Sequence, residues 1–434
     1  MNIIVAFGTL LLCAFCYRLD NCIYNPATVY SFFWFMIMLL ASAQFYDIYE
    51  ISNETYFLAF VSVCFFVIGH ILNLVIRNKF NIKHNKFDIN LKFYYVLLIA
   101  CVISLWQNFS LIGVVISEGL SVSAAYFLMA RVVVGEAEEL KDVYTDLGAQ
   151  VQQYIGYPLL YLLIPTSILL YYKTFKKKYL LIAFGLFLIR FLADFKRTIL
   201  VFLILFFLFY AILMRKSILN EMRKNILIKR KIKWFSFGII IALFSAFLVI
   251  STLRHDNHGD SYSLFQNLYY YYIGCFKLLD IRLSTWDMFG VDYTFGLTTF
   301  RGVFAPFFAT IKLLINEDFS LFADATYLVN SLHDYIVPIA PHHIYNTYTT
   351  NVFQFYCDGG GIGVCVLSML YGWLASSWYR DYCELGDVRS VFRFGYIMCV
   401  FILFSNMHMN SIVICYVWPL ILERLLYNKK IKNV

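Results

Sequence analysis

Long apolar segments constrain the fold of this chain more than any other feature. Of its 434 residues, 61% are hydrophobic and 14% are charged, whereas soluble domains contain roughly a quarter charged residues. A helix that crosses a bilayer needs about 20 mostly apolar residues, and it satisfies its own backbone hydrogen bonds in lipid. The pattern predicts an all-α polytopic membrane protein with about 11 transmembrane helices. They are expected at residues 2–17, 28–46, 55–76, 93–116, 154–172, 179–193, 198–214, 234–253, 354–378, 394–407 and 411–427.

The charge of the connecting segments predicts their sidedness. Segments 77–92, 173–178 and 215–233 are basic, and the last contains eight basic residues and one acidic residue. Segment 47–54 has acidic residues without Lys or Arg, and segment 117–153 has six acidic residues against two basic ones. Basic loops remain in the cytoplasm, so the N-terminus is expected outside and the C-terminus inside.

This topology places two long segments on the external side of one integral membrane domain. Residues 117–153 form a first loop with an expected amphipathic helix, and residues 254–353 form a large helical loop. Within the large loop, residues 295–315 are apolar but interrupted by Arg301 and Pro306. That stretch is predicted to lie on the membrane surface or dip into it. The large loop also contains most of the charged and His residues that are not cytoplasmic, so chemistry or recognition is expected there.

A histidine pair in the large loop is the candidate general base. An imidazole titrates near neutral pH, so His342 or His343 beside the membrane can deprotonate a sugar hydroxyl. Two other interpretations stay open at this point: a polar loop resting on lipid headgroups, and a metal site that also uses His333 and Asp334. No i,i+4 ligand pair supports the metal site.

Asp358 is the second candidate catalytic residue. It lies near the start of a predicted span and is followed by Gly359, Gly360, Gly361 and Gly363. A carboxylate near a helix N-terminus is also favoured by the helix dipole alone. The glycines allow close helix packing, or a broken helix where a substrate chain lies.

Five arginines near the predicted external boundary are candidates for binding a diphosphate, because guanidinium binds phosphate oxygens in pairs. Two of them occupy a short outside turn, against the orientation rule. Pairing with Asp194 or contact with headgroups also explains that placement. The five are Arg131, Arg190, Arg197, Arg254 and Arg301.

Aromatic residues are abundant throughout the large loop, and Tyr269–Tyr272 form an unbroken run. Such rings are typical of an interfacial belt, and they also stack on sugar faces while their hydroxyls form hydrogen bonds. The candidate glycan-binding residues are Tyr271, Tyr272, Asn346, Tyr348 and Thr349.

Together these features resemble the O-antigen polymerase (Wzy) family of bacterial envelopes. The resemblance covers the hydropathy plan of the whole chain, and its most specific piece is Asn346-Thr347-Tyr348-Thr349 followed by Asp358-Gly359-Gly360. Family members commonly have N-x-Y-T and then D-F-G before a glycine-containing span, so Gly359 replaces the usual Phe. Asn25-Pro26 and Lys196-Arg197-Thr198 are also similar.

The resemblance implies a metal-independent glycosyltransferase without a cofactor, in the bacterial inner membrane. Its N-terminus would be periplasmic and its C-terminus cytoplasmic. It would polymerise oligosaccharide repeat units linked to undecaprenyl diphosphate, with His343 or His342 as base and Asp358 and Tyr348 orienting groups. The implied partners are these lipid-linked glycans, membrane lipids and a chain-length-determining co-polymerase, with no nucleic acid.

Three alternatives remain. An O-antigen ligase uses the same leaving group. A flippase for lipid-linked oligosaccharides requires polar groups buried at mid-span, where His70 is the clearest ionisable candidate. A membrane acyltransferase would need a histidine within the membrane or reached from the cytoplasm.

Overall fold

The computed structural model describes residues 2–79, 86–119, 124, 145–194, 197–215, 264–315, 319–334, 337–341, 343–345, 349–405 and 413–429. Its described part is mostly helical, which confirms the predicted all-α class. The chain divides into two compact units. Unit 1 comprises Met1–Asn85, Tyr262–Gly386 and Val400–Ile414, and unit 2 comprises Lys86–Ser261, Asp387–Cys399 and Cys415–Val434.

Fifteen α-helices are labelled here in chain order within the described residues. They are α1 Asn2–Asp20, α2 Pro26–Ser42, α3 Asn53–Lys79, α4 Leu91–Ser104, α5 Trp106–Ser117, α6 Asp146–Val151, α7 Tyr157–Thr174, α8 Lys177–Asp194, α9 Arg197–Leu213, α10 Leu264–Ser284, α11 Arg301–Ile315, α12 Ser320–Asp334, α13 Asn351–Leu385, α14 Val388–Tyr396 and α15 Val413–Leu426. The described strands are β1 Phe87–Ile89, β2 Val337–Ala340, β3 His343–Tyr345 and β4 Tyr427–Lys429.

Four described helical segments are long and apolar enough to cross a membrane. They are Asn2–Asp20, Asn53–Arg77, Leu147–Thr174 and Asn351–Leu385, and α4 with α5 forms a fifth if this pair, bent by 49°, is one span. The chain is therefore a helical, multi-pass membrane protein. The predicted number of about 11 spans is not confirmed: helices α2 and α9 are apolar but shorter, and the predicted span 234–253 lies outside the described residues.

Helices α3 and α13 form the closest helix pair of unit 1. A Cβ atom on Gly69 would lie 2.0 Å from the Met369 carbonyl oxygen, and one on Gly372 would lie 2.0 Å from the Phe66 carbonyl oxygen. Such direct backbone approach requires small residues, as is usual for helices that pack in membranes.

The two helices of this pair run parallel. The Ser62 and Ser368 hydroxyls are 2.8 Å apart, and further along both helices Arg77 binds Asp381 at 2.7 Å. Both helices therefore point away from the same end of unit 1. That end, which holds Asn53 and the turn before Gly361, is called the site end below.

Helix α13 is broken where the glycines follow Asp358. Gly359 and Gly360 leave the helical conformation, and Gly360 has a φ of 58°, which favours glycine. A Cβ on Gly363 would lie 2.4 Å from the Phe355 carbonyl oxygen. The Phe355 and Tyr371 rings are 6.4 Å apart, whereas a continuous helix would separate these positions by roughly 24 Å.

The first eight residues of α13 therefore fold back against the rest. Residues 351–358 are called α13a and residues 361–385 are called α13b. The predicted span 354–378 lies within the apolar segment Asn351–Leu385, and the break at Gly359 and Gly360 interrupts it near its start. The α13a helix directs its N-terminus into the interior of unit 1.

Unit 2 is built around α7, which packs against α8, α9 and α4. Strands β1 and β4 pair antiparallel, with Phe87 opposite Lys429. Beside them, the buried Glu423 carboxylate accepts hydrogen bonds from Arg389 at 3.1 Å and from Arg393 at 2.6 Å. A buried carboxylate of this kind requires such pairing with cations.

Candidate functional site

A short β-hairpin places His343 against α10 at the site end of unit 1. Strands β2 and β3 pair antiparallel with Val337 opposite Tyr345. The half-buried His343 imidazole stacks on the Tyr270 ring, with centroids 4.1 Å apart and planes 9° apart. Tyr270 donates from its hydroxyl to the Tyr46 carbonyl oxygen at 2.7 Å. The imidazole is therefore held in a fixed orientation by an aromatic platform.

Tyr345 fixes the other end of the hairpin to α10. Its hydroxyl donates to the Tyr271 carbonyl oxygen at 3.2 Å and lies 2.8 Å from the Cys275 sulfur. A Cβ atom on Gly274 would lie 2.7 Å from the Tyr345 ring, so a glycine is needed for this approach. Of the predicted glycan-binding residues, Tyr271 therefore contributes its backbone to the hairpin contact.

The C-terminal half of α10 is anchored at the beginning of α3. The Asp280 carboxylate accepts from Lys277 at 2.7 Å, from the Ser52 amide at 3.0 Å and from the Thr55 hydroxyl at 2.8 Å. Burial raises the pKa of Asp280, but these donors outweigh burial and hold the pKa below its ordinary value. This contribution to stability is therefore present at neutral pH and is lost as the pH falls through the lowered pKa.

An apolar groove adjoins the His343 platform. It encloses about 420 Å³ between α2 and α10, and its lining includes Leu40, Phe45 and Leu268. Tyr46 and Tyr269 also line it, and their rings are 5.5 Å apart. The Tyr46 ring also lies 6.2 Å from the Tyr270 ring, so one residue of the groove lining contacts the platform beneath His343. The predicted glycan-binding residue Tyr272 lies in this apolar lining.

The Asp358 carboxylate forms hydrogen bonds with the loop of residues 294–299, which precedes α11. It accepts from the Thr294 hydroxyl at 2.6 Å and from the amides of Thr298 and Thr299, both at 2.9 Å. The loop also bonds the backbone beside the helix break, since the Phe295 amide donates to the Asp358 carbonyl oxygen at 3.1 Å. The buried carboxylate thus braces the loop that leads into α11.

Arg301 is the first residue of α11 and follows that braced loop. It is half-buried, and its Nε donates to the Thr326 hydroxyl of α12 at 3.3 Å. Asp358 therefore acts on Arg301 indirectly, through the backbone of residues 294–299. Within the described residues, the Asp358 carboxylate thus supports the backbone that precedes Arg301.

The other predicted arginines are distributed differently. Arg190 belongs to unit 2, where its buried guanidinium lies 4.1 Å from the centre of the Tyr157 ring. Arg197 begins α9, also in unit 2, and its side chain lies outside the described part. Five further predicted residues are not described: Arg131, Arg254, His342, Asn346 and Tyr348.

Metal binding at the histidine pair is not covered by the structure, because His342 and the His333 side chain lie outside the described part. Within the residues that are described, no three His, Cys, Asp or Glu side chains are arranged to hold a metal ion.

His70, an ionisable residue within a predicted span, contacts an ion pair that the sequence does not reveal. The His70 Nε2 atom lies 3.2 Å from an Asp20 carboxylate oxygen, and Arg380 binds the other oxygen at 2.7 Å. The Asn25 amide contacts both Asp20 and His70. This network lies toward the end of unit 1 opposite the site end. An Asp, an Asn and a His beside apolar segments were the available signal, but their pairing is tertiary.

No family model, curated protein or solved structure matches this chain.

Proposed function

We propose that this chain is a glycosyltransferase that polymerises oligosaccharide repeat units carried on undecaprenyl diphosphate. The observation that supports this best is the apolar groove lined by Tyr46, whose ring lies 6.2 Å from the Tyr270 ring on which His343 stacks. A lipid-linked sugar requires both features side by side: an apolar surface for the polyprenyl chain and a polar group that can exchange a proton. The proposed location is the bacterial inner membrane, with the site end facing the periplasm and the C-terminus in the cytoplasm.

His343 acts as the general base in this proposal. It takes the proton of a hydroxyl on the terminal sugar of a new repeat unit. The hydroxyl oxygen then bonds to the anomeric carbon of the growing chain, while the bond between that carbon and the diphosphate breaks. The electron pair leaves with undecaprenyl diphosphate. Stacking on Tyr270 holds the imidazole in place and so favours a reactive orientation.

Arg301 supplies positive charge for the diphosphate that leaves. Charge that develops on a leaving group is stabilised best by donors whose positions are already fixed. The Asp358 carboxylate fixes the loop before Arg301 through its hydrogen bonds to Thr294, Thr298 and Thr299. Arg190, Arg197, Arg254 and Arg131 remain further candidates for phosphate contacts. A chain-length-determining co-polymerase is the proposed protein partner.

Deletion of the gene tests this proposal against its alternatives in the native bacterium. Loss of a polymerase leaves lipid A core bearing a single repeat unit, because single units are still exported and ligated. Electrophoresis of the lipopolysaccharide and mass analysis of the carrier-linked glycans provide the measurement. Lipid A core without any repeat unit, with polymer still on the carrier, would identify a ligase and contradict the proposal.

Transport of the lipid-linked glycan is the second candidate function. The observation that favours it is the series of buried polar side chains inside unit 1, from Gln354 through Tyr30 and Ser62 to the His70–Asp20 pair. A path for a polar headgroup must be lined in this way. In the same deletion strain, transport predicts that single repeat units accumulate on the carrier inside the cell.

A further inference from the structure

The interior of unit 1 contains a cluster of buried polar side chains, and all of them except Tyr30 have polar atoms without a hydrogen bond. It is called the Gln354 cluster here. Each buried polar group that lacks a partner costs free energy, so native interiors contain few of them. The cluster concentrates them in one place, beside the N-terminus of α13a. Its members are Tyr30, Trp34, Thr349, Thr350, Asn351 and Gln354.

Seven polar atoms of this cluster form no hydrogen bond of good geometry with the described residues, although the Asn351 and Trp34 side chains approach the Tyr30 hydroxyl. The seven atoms are the Trp34 Nε1, the Thr349 and Thr350 Oγ1 atoms, and both amide atoms of Asn351 and of Gln354. All these side chains are at least 97% buried. Both donors and acceptors are present, and none of the side chains is charged.

Several of these groups lie next to one another. Asn351 and Gln354 are three residues apart on α13a, so their side chains share one face of the helix. Asn351 and Trp34 face the Tyr30 hydroxyl, which also lies 3.1 Å from the Ser62 hydroxyl. The Tyr30 ring in turn stacks on the Phe66 ring, with centroids 4.0 Å apart.

The helix end beside the cluster is also left open. Thr350 occupies the N-cap position of α13a, but its side chain accepts no hydrogen bond from the helix. The first amide groups of a helix lack partners within it, and they carry a partial positive charge. These amides add backbone donors beside Thr350 and Asn351.

The cluster lies close to the candidate site. The Trp34 ring packs against Phe276 of α10, with centroids 5.8 Å apart. The preceding residue, Cys275, contacts the Tyr345 hydroxyl of the hairpin that holds His343. The two sites are therefore joined through adjacent residues of one helix.

We infer that the Gln354 cluster is a binding site for an uncharged sugar ring of a membrane-presented glycolipid. Mixed donors and acceptors match the hydroxyl groups of a sugar, and aromatic faces match its C–H surface. A phosphate group would call for a cationic side chain, which this cluster does not contain. The inference rests on the proposed function only for the source of the sugar, namely the carrier-linked repeat unit.

Binding of alkyl glycosides to the purified full-length protein in lipid nanodiscs tests this inference. The probes are octyl β-glucoside, octyl β-galactoside and octyl N-acetyl-β-glucosaminide, with 1-octanol and octyl sulfate as head-group controls. At least one glycoside is expected to raise the melting temperature in a saturable manner, since a ligand stabilises the state that binds it. It should also change the fluorescence assigned to Trp34 by comparison with Trp34→Phe. The two head-group controls should do neither.

The melting temperatures and glycoside affinities of three variants distinguish a binding site from an ordinary protein interior. Gln354→Leu removes an unpaired amide, so its melting temperature without ligand should be no lower than that of the wild type, while its affinity for the glycoside falls at least about tenfold. Thr349→Val, which removes one hydroxyl, should also weaken binding and covers the case in which Gln354→Leu does not fold. Gln153→Leu, at an exposed position of unit 2, should bind as the wild type does.

Three outcomes would overturn the inference: no glycoside has an effect, octanol stabilises equally, or Gln354→Leu and Thr349→Val bind normally. Because this assay measures binding alone, glycoside binding by a protein whose deletion leaves polymer intact would reject the polymerase and retain the site.

Discussion

His343→Ala is expected to lower polymerisation by about 10²–10⁴-fold, the usual contribution of a general base. The protein should still reach the membrane in normal amount, because His343 is half-buried and lies on a short hairpin rather than in a helix core. The measurement is the length distribution of the polymer in a deletion strain that expresses the variant, together with the protein level in the membrane fraction.

Ile344→Ala is the matched control for this substitution. Ile344 is the next residue of β3, and 64% of its surface is exposed, so its truncation should leave chain lengths unchanged. Tyr270→Phe keeps the ring beneath the imidazole and should retain most activity, whereas Tyr270→Ala removes the stack and should reduce it. Normal polymer from His343→Ala would exclude this residue as the base.

Asp358→Asn should lower stability and activity together. The amide keeps one acceptor oxygen but places an NH₂ group against the amide donor of Thr298 or Thr299. Loss of a buried hydrogen bond to a charged group costs roughly 1.5–3 kcal/mol, and unsatisfied donors add to it. We expect a melting temperature lower by several degrees, together with a loss of polymer because Arg301 is no longer held.

Asp292→Asn provides the comparison, since Asp292 is an exposed residue of the same loop segment. Asp292→Asn makes the same change of charge, but it should alter neither the melting temperature nor the amount of polymer. A folded Asp358→Asn protein with wild-type melting temperature and no activity would instead indicate that the Asp358 carboxylate takes part in the reaction.

Much of the helical framework follows from apolar length alone. The predicted spans 2–17 and 55–76 correspond to α1 Asn2–Asp20 and α3 Asn53–Lys79. Apolar length does not predict the reversal within α13, because the residues on both sides of the glycine run are mostly apolar. Glycine permits both a straight close-packed helix and a turn, and packing against α3 and α10 decides between them.

Which side chains of the site lie close together could not be predicted from the sequence. The sequence indicates His343 as a base and Tyr270 as part of an aromatic run, but 73 positions separate the two residues. Their stacking depends on the hairpin register and on Gly274. Asn351 and Gln354 were missed because a single amide in an apolar segment is compatible with either a buried or an exposed helix face.

The proposed reaction requires the carrier lipid and His343 to meet outside the cytoplasm, so it is tested most directly by measuring which side of the membrane His343 faces. Spheroplasts expressing Ile344→Cys can be treated with a membrane-impermeant maleimide, and labelled peptides identified by mass spectrometry. Native Cys383 is exposed near the opposite end of α13b and serves as the internal control. We predict that position 344 is labelled in intact spheroplasts and that Cys383 is labelled only after permeabilisation. The reverse pattern would contradict a periplasmic site end.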